Sequence, residues 1–208
     1  MLIVSDDIKL FWIGHASFRI ETKGKNIYLD PWKITKGKAD IILITHSHFD
    51  HLSLDDIKKI QIDKTVIVAT RDSSSKLKGD VRTVKPGDTI EIEGIKIDVI
   101  PSYNIGKNFH PKANGWVGYI LSTSGKRIYH AGDTDAISEM KALSVDVALL
   151  PVGGTYTMTA EEAGKIANEF KPVVVVPMHW GDIVGSKADA EKFKELFSGT
   201  TEILERES

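Results

Sequence analysis

Cysteine is absent from the 208-residue chain. Disulfides, thiolate zinc sites, iron–sulfur clusters and a cysteine nucleophile are therefore excluded together. An excess of charge is missing as well. The chain has 27 Lys and Arg against 29 Asp and Glu, a net charge of −2, so no global field favours a long nucleic acid or an anionic membrane surface. Long apolar runs are lacking: stretches such as Val173–Val176 are strand-sized, far short of the roughly 20 residues that span a bilayer. Residues Met1 to Asp7 hold no basic segment ahead of an apolar one, so no signal peptide is expected, and a cytoplasmic location is. No Pro/Gly/Ser-rich linker and no internal repeat divide the chain, which predicts one domain over residues 1–208.

What is present is ordinary for a globular protein: 41% hydrophobic and 27% charged residues. A chain of this mass buries about 70% of its surface on folding, enough for a core without cross-links. Alternating or continuous apolar stretches predict strands at Ile8–Ile13, Phe18–Thr22, Asn26–Asp30, Ile41–Thr45 and Val66–Ala69. Val81–Val84, Thr89–Ile92 and Ile95–Ile100 read as a three-stranded meander, with Pro86-Gly87-Asp88 and Glu93-Gly94 as turns. A second block is expected to open with Trp116–Thr123, continuing through Arg127–His130, Val145–Pro151 and Val173–Pro177. Helical spacing marks Ser53–Ile60, Ser138–Leu143, Thr159–Phe170 and Lys187–Phe197, the third opened by a Thr159-x-x-Glu162 capping box. Strands outnumber helices and both kinds of strand connection occur, which predicts a layered α/β protein with mixed sheets.

The residues able to do chemistry follow the carboxyl ends of predicted strands, where α/β sheets place their sites. Thr45-His46-Ser47-His48-Phe49-Asp50-His51 packs four potential metal ligands into six residues. On an extended backbone His46 and His48 project to the same side. Imidazole nitrogen and carboxylate oxygen are ligands for zinc, iron and manganese. His110, Asp133 in Ala131-Gly132-Asp133-Thr134-Asp135, and His179 in Pro177-Met178-His179-Trp180-Gly181-Asp182 come later. Gly14-His15-Ala16-Ser17 and Asp30-Pro31 complete the set.

In order and spacing these motifs resemble the metallo-β-lactamase fold superfamily, over essentially the whole chain. Within it, Gly-His-Ala-Ser, Phe-His-Pro-Lys, His-Ala-Gly-Asp-Thr-Asp and Pro-Met-His-Trp-Gly-Asp resemble small metal-dependent hydrolases related to the ascorbate-phosphate lactonases and N-acyl-phosphatidylethanolamine phospholipase D. The resemblance implies a four-layer αββα sandwich of two mixed sheets. It assigns His46, His48 and His110 to one metal, Asp50, His51 and His179 to a second, and Asp133 to both. Asp30 would orient the ligand loop. His15 would line the cleft, as a donor to a ligand carboxylate or as a substrate contact, and His130 would be a packed strand residue. The all-N/O donor set suits two Zn²⁺, with Mn²⁺, Fe²⁺ or Ni²⁺ able to substitute.

The activity implied is hydrolysis of an ester, lactone, amide, thioester or phosphodiester of a small substrate by water activated between the metals, Asp50 taking its proton. His48 stands where the di-iron flavoprotein branch carries Glu, and the chain is too short for the inserted domain of the nuclease branches. Lys107 and Lys112 flank His110 and could meet a substrate anion. Two other readings share the same residues: a one-iron redox enzyme resembling persulfide dioxygenases, and a metal-binding module without catalysis. Oligomeric state is left open.

Overall fold

Three two-residue turns shape much of the chain. Lys23-Gly24, Glu93-Gly94 and Ser124-Gly125 each place both residues at positive φ, the geometry whose twist matches a tight hairpin. They join β3 (Ser17–Thr22) to β4 (Lys25–Leu29), β8 (Thr89–Ile92) to β9 (Ile95–Pro101), and β10 (Val117–Thr123) to β11 (Lys126–His130). The structure, a computed structural model, describes residues 1–207.

Two seven-stranded sheets result. The first runs β1 (Leu2–Ser5), β2 (Ile8–Gly14), β3, β4, β5 (Ala39–Ile44), β6 (Gln61–Thr70) and β7 (Asp80–Val84). The second runs β14 (Thr200–Thr201), β13 (Val174–Met178), β12 (Val147–Pro151), β11, β10, β9 and β8. Both sheets are antiparallel through their first four strands in chain order and parallel thereafter. Between them lies the main core. Ile8, Leu10, Phe18, Ile20, Ile41 and Leu43 of the first sheet belong to one buried cluster with Val99, Tyr119, Leu121 and Leu149 of the second.

Helices cover the outer faces. Ile57 and Ile60 of α1 (Leu54–Ile60) pack on Ile42, Ile44 and Ile67. β5 is thus apolar on both faces, which is why Ile41–Ile44 reads as a continuous run rather than an alternation. On the second sheet α3 (Ala160–Phe170) buries Ala163, Ile166, Ala167 and Phe170, one face at helical spacing. Its capping box of Thr159 and Glu162 is present, and Lys171 ends it in the left-handed region ahead of Pro172. A Cβ on Gly164 would lie 2.9 Å from the Leu196 Cβ, so this glycine sets how closely α4 (Lys187–Leu196) approaches. The layers form the αββα sandwich. No helix among the described residues is long and apolar enough to cross a membrane.

Three points of the sequence reading need correction. Val81–Val84 is not part of a meander: it pairs parallel with β6, Val66 opposite Asp80 and Thr70 opposite Val84. Pro86-Gly87-Asp88 carries the chain between sheets, held to β9 by the Gly87 N–H donating to the Val99 carbonyl at 2.8 Å. Turn residues alone do not separate a hairpin from a crossover. The second block therefore opens at β8, not at Trp116. The short helix expected at Ser138–Leu143 forms as a 3₁₀ turn over Ser138–Ala142, and the short strands β1 and β14 were not expected.

Candidate metal centre

The chemistry-bearing residues gather at one rim because the strands that precede them end there. β4 leads to Asp30, β5 to His46–His51, β11 to Asp133 and β13 to His179. β4 and β5 are parallel, as are β11, β12 and β13, so their carboxyl ends share an edge. The backbone bends sharply to aim the side chains. His15, Asp30 and His179 have φ of 52°, 46° and 60°, a region that L-residues adopt at a cost and that clusters at functional sites. Gly132, at φ 63°, sits where a Cβ would come 2.8 Å from the Val117 carbonyl oxygen, so no other residue fits before Asp133 without displacement.

Two groups of four potential ligands result: His46, His48, His110 and Asp133, and His15, Asp50, His51 and His179. In the first, His46 Nε2 lies 3.1 Å from His48 Nδ1, and His110 Nε2 3.1 Å from Asp133 Oδ2. In the second, His51 Nε2 is 3.5 Å from Asp50 Oδ2. Asp133 also faces this group, with Oδ1 3.3 Å from His51 Nε2 and Oδ2 3.0 Å from His179 Nε2. Tetrahedral bonds of 2.0–2.1 Å would separate ligand atoms by about 3.3–3.4 Å. Spacings of 3.0–3.5 Å among these atoms fit that geometry, and His46 Nε2 to Asp133 Oδ2 is wider at 3.9 Å.

The reverse side of three of these imidazoles is anchored. His51 Nδ1–H donates to Asp30 Oδ2 at 2.7 Å, and His110 Nδ1–H to Asn104 Oδ1 at 3.0 Å. His46 Nδ1 contacts Thr45 Oγ1 at 2.9 Å, and that hydroxyl donates to Asp30 Oδ2 at 2.6 Å. Each anchor leaves Nε2 pointing inward, and it is the arrangement that fixes a metal-ligating histidine. His51 Nε2, His110 Nε2 and Asp133 Oδ1 are buried without a hydrogen-bond partner. Orphaned polar atoms are costly inside a protein, and two divalent cations, one in each group with Asp133 shared, would satisfy all three. The residues present fit such ions.

Charge follows the same plan. Burial opposes ionisation of Asp133, but the surrounding imidazoles of His179, His51 and His110 hold its carboxyl well below the usual range. Burial likewise opposes the anion at Asp50, and the hydrogen bond from His15 together with the neighbouring His51 imidazole overcomes it. Burial lowers His46 and His48, so both offer neutral nitrogens. His51 resists its own burial, lying between Asp133 and Asp30, and its pKa is raised well above normal. The metal-free protein at neutral pH thus keeps a proton on His51 that a cation must displace, whereas His46 and His48 have none to lose. Uptake on the His51 side is expected to release about one proton and to tighten as pH rises toward the His51 pKa. Calorimetric titration in buffers of different ionisation enthalpy reads this directly. Loading without proton release at neutral pH would contradict it.

His15 joins the cluster: its Nε2–H donates to Asp50 Oδ2 at 3.0 Å and its ring lies 4.0 Å from that of His179. His130 is buried outside it, Nε2–H donating to the Ala16 carbonyl at 2.8 Å and Nδ1 accepting from Gly132 N–H. Lys107 and Lys112 do not reach the cluster. Lys107 is held by Asp135 and the Thr157 carbonyl, and Lys112 by Glu139 and the Tyr103 hydroxyl. Sequence reasoning missed Asn104, Thr45 and Trp116. The Trp116 ring lies 4.8 Å from those of both His46 and His48, with its Nε1–H on Asp72. Thr45 could have been flagged by adjacency to His46; nothing in the sequence marks Asn104.

Comparisons with known proteins agree with this geometry. The family described as "Beta-lactamase superfamily domain" matches residues 9–179. A UPF0173 metal-dependent hydrolase of Methanopyrus kandleri is 33% identical over 90% of both chains. Another, from Pyrococcus abyssi, is 36% identical over 95% of both. The crystal structure of a candidate metal-dependent hydrolase from Parabacteroides distasonis shares a TM-score of 0.87 at 36% identity, covering 96% of this chain and 94% of that one. With its fold, its histidine–aspartate rim and these relatives together, the chain belongs to the beta-lactamase superfamily, among the UPF0173 metal-dependent hydrolases.

Proposed function

We propose that the protein hydrolyses an ester, lactone or phosphodiester-type bond of a small substrate, using two divalent cations for which zinc is the best match. The observation that carries this reading is Asp133, whose two oxygens face both histidine groups at once. His46, His48 and His110 would hold one ion and Asp50, His51 and His179 the other, with Asp133 shared. Divalent cations so held supply Lewis acidity, lowering the pKa of water toward neutrality and polarising the oxygen of the scissile bond.

The chain's own groups do the rest. Asp50 stays anionic and lines the cavity beside Asp133, where it can orient the attacking water and accept its proton. Trp116 walls one side of the histidines. Of the two roles expected for His15, burial favours the first. Its side chain is fully enclosed and does not line the cavity, so it positions Asp50 rather than touching substrate. His15→Gln, which keeps a donor of similar reach, is expected to retain metal and lose about tenfold or less in kcat. His15→Ala should lose more and shift the pH profile of kcat. Equal profiles in both variants would reduce His15 to packing. A cysteine-free chain needs no oxidising compartment, which supports a cytoplasmic setting.

The test is a panel of acyl esters, lactones and phosphodiesters, run on protein stripped by a chelator and reloaded with one metal at a time. Hydrolysis should vanish on stripping and return with Zn²⁺. A coloured, EPR-active protein needing iron and turning over no hydrolytic substrate would favour the redox alternative.

A further inference from the structure

The cavity that opens onto the cluster has walls of an unexpected kind. His48, Asp50, His110, Asp133 and His179 form its floor, and Phe49, Phe109, Tyr156 and Ile183 its mouth. Phe49 is 68% exposed, Phe109 46% and Ile183 39%. Exposed side chains of this size around one opening mark a binding surface more than chance. Each also sits on a ligand-bearing loop. Phe49 lies between His48 and Asp50, Phe109 directly precedes His110, and Ile183 follows His179 by four residues. Tyr156 braces the collar from a separate loop, edge-on to Phe109 at 4.8 Å. Whatever positions the ligands positions the collar.

No Lys or Arg among the described residues lines this cavity. The two cations that flank Phe109 and His110 in sequence are engaged elsewhere: Lys107 with Asp135 and Lys112 with Glu139. An anionic group on the substrate, away from the bond being cleaved, would find no cationic side chain in the walls and would lose its hydration on entering. The cavity measures about 210 Å³, below the range typical of drug-sized ligands.

We infer that the substrate is a neutral acyl compound, an ester, thioester or lactone, whose short apolar chain or single ring seats in the Phe49–Phe109–Ile183 collar. This rests on the hydrolase reading above and narrows it. In the reaction, water oxygen bonds to the acyl carbon as the carbon–oxygen or carbon–sulfur bond breaks. The alcohol or thiol leaves with one proton of the water, and the acid keeps the other before ionising. Selectivity comes from burying the acyl chain against the collar, where each added methylene is worth about tenfold or more.

The test uses metal-loaded protein and three chromogenic substrates: p-nitrophenyl acetate, p-nitrophenyl butyrate and bis(p-nitrophenyl) phosphate. Wild type should favour butyrate, longer by two methylenes, over acetate by about 100-fold in kcat/KM, and both over the phosphodiester. In Phe49→Ser and Phe109→Ser the butyrate-to-acetate ratio should fall toward parity with metal content unchanged. Both side chains are exposed, so neither change empties the core. A second arm measures binding of 4-phenyl-2-butanone, a neutral ketone that cannot be hydrolysed. Its Kd should rise about tenfold in each variant, a loss comparable to that of a methylene or more of pocket contact. Preference for the phosphodiester, or a selectivity ratio and ketone Kd untouched by both variants, overturns the inference while leaving a metal-dependent hydrolase standing. If chelation leaves every rate unaltered, it is the hydrolase reading that fails, and the ketone arm still reports on the collar.

Discussion

Asp133→Asn is expected to cut turnover by more than about 10²-fold, beyond what loss of a ligand's outer partner costs, with the fold intact. The amide keeps one oxygen. It cannot present a negative oxygen to His51 on one side and to His110 and His179 on the other, as the carboxylate does at 3.3, 3.1 and 3.0 Å. Its NH₂ would instead oppose one of those nitrogens and disfavour a cation there. His48→Ala removes a donor from the first group only and should spare the second ion. The pair therefore separates by metal content, read by elemental analysis: weakened retention of both ions in Asp133→Asn, loss of about one in His48→Ala. Circular dichroism should match wild type for both, because burial between and around the sheets holds the fold together. A fully active metal-free variant would refute the mechanism, and an unfolded one would make the centre structural.

Asp30→Ala is expected to act on stability and metal affinity together. Asp30 is fully buried and accepts three bonds: from Thr45 N–H at 2.8 Å, the Thr45 hydroxyl at 2.6 Å and His51 Nδ1–H at 2.7 Å. Alanine strands all three donors, at a cost of at least about 3 kcal/mol at roughly 1 kcal/mol or more each. It also frees the imidazoles of His51 and, through Thr45, of His46. Affinity should drop about 10- to 100-fold, as when an outer partner of a metal-ligating histidine is lost. Urea unfolding of the chelated protein isolates the first effect, and competition with a metallochromic dye gives the second. Wild-type stability with weakened metal binding would mean that water replaces the carboxylate. The opposite pattern would mean that Asp30 serves folding alone.

Local chemistry was legible without coordinates. The Glu93-Gly94 turn and the capping box at Thr159 each depend on residues close in sequence, and each formed where the pattern placed it. So did the crowding of His46, His48, Asp50 and His51, which no ordinary loop would carry. Long-range pairing was not legible. Val81–Val84 has the same alternation whether it pairs with the strand before or after it, and only its parallel register with β6 assigns it to the first sheet. Periodicity records which face of a strand is apolar, not which neighbour supplies its hydrogen bonds. The same limit governed the site. That Asp133 meets histidines from three separate loops, that His15 reaches Asp50 across 35 residues, and that Asn104 holds His110 follow from strand ends converging on one rim. The residue types able to hold a cation were written in the sequence. Their partners, and the apolar collar above them, exist only once two sheets bring distant loops within a few ångströms.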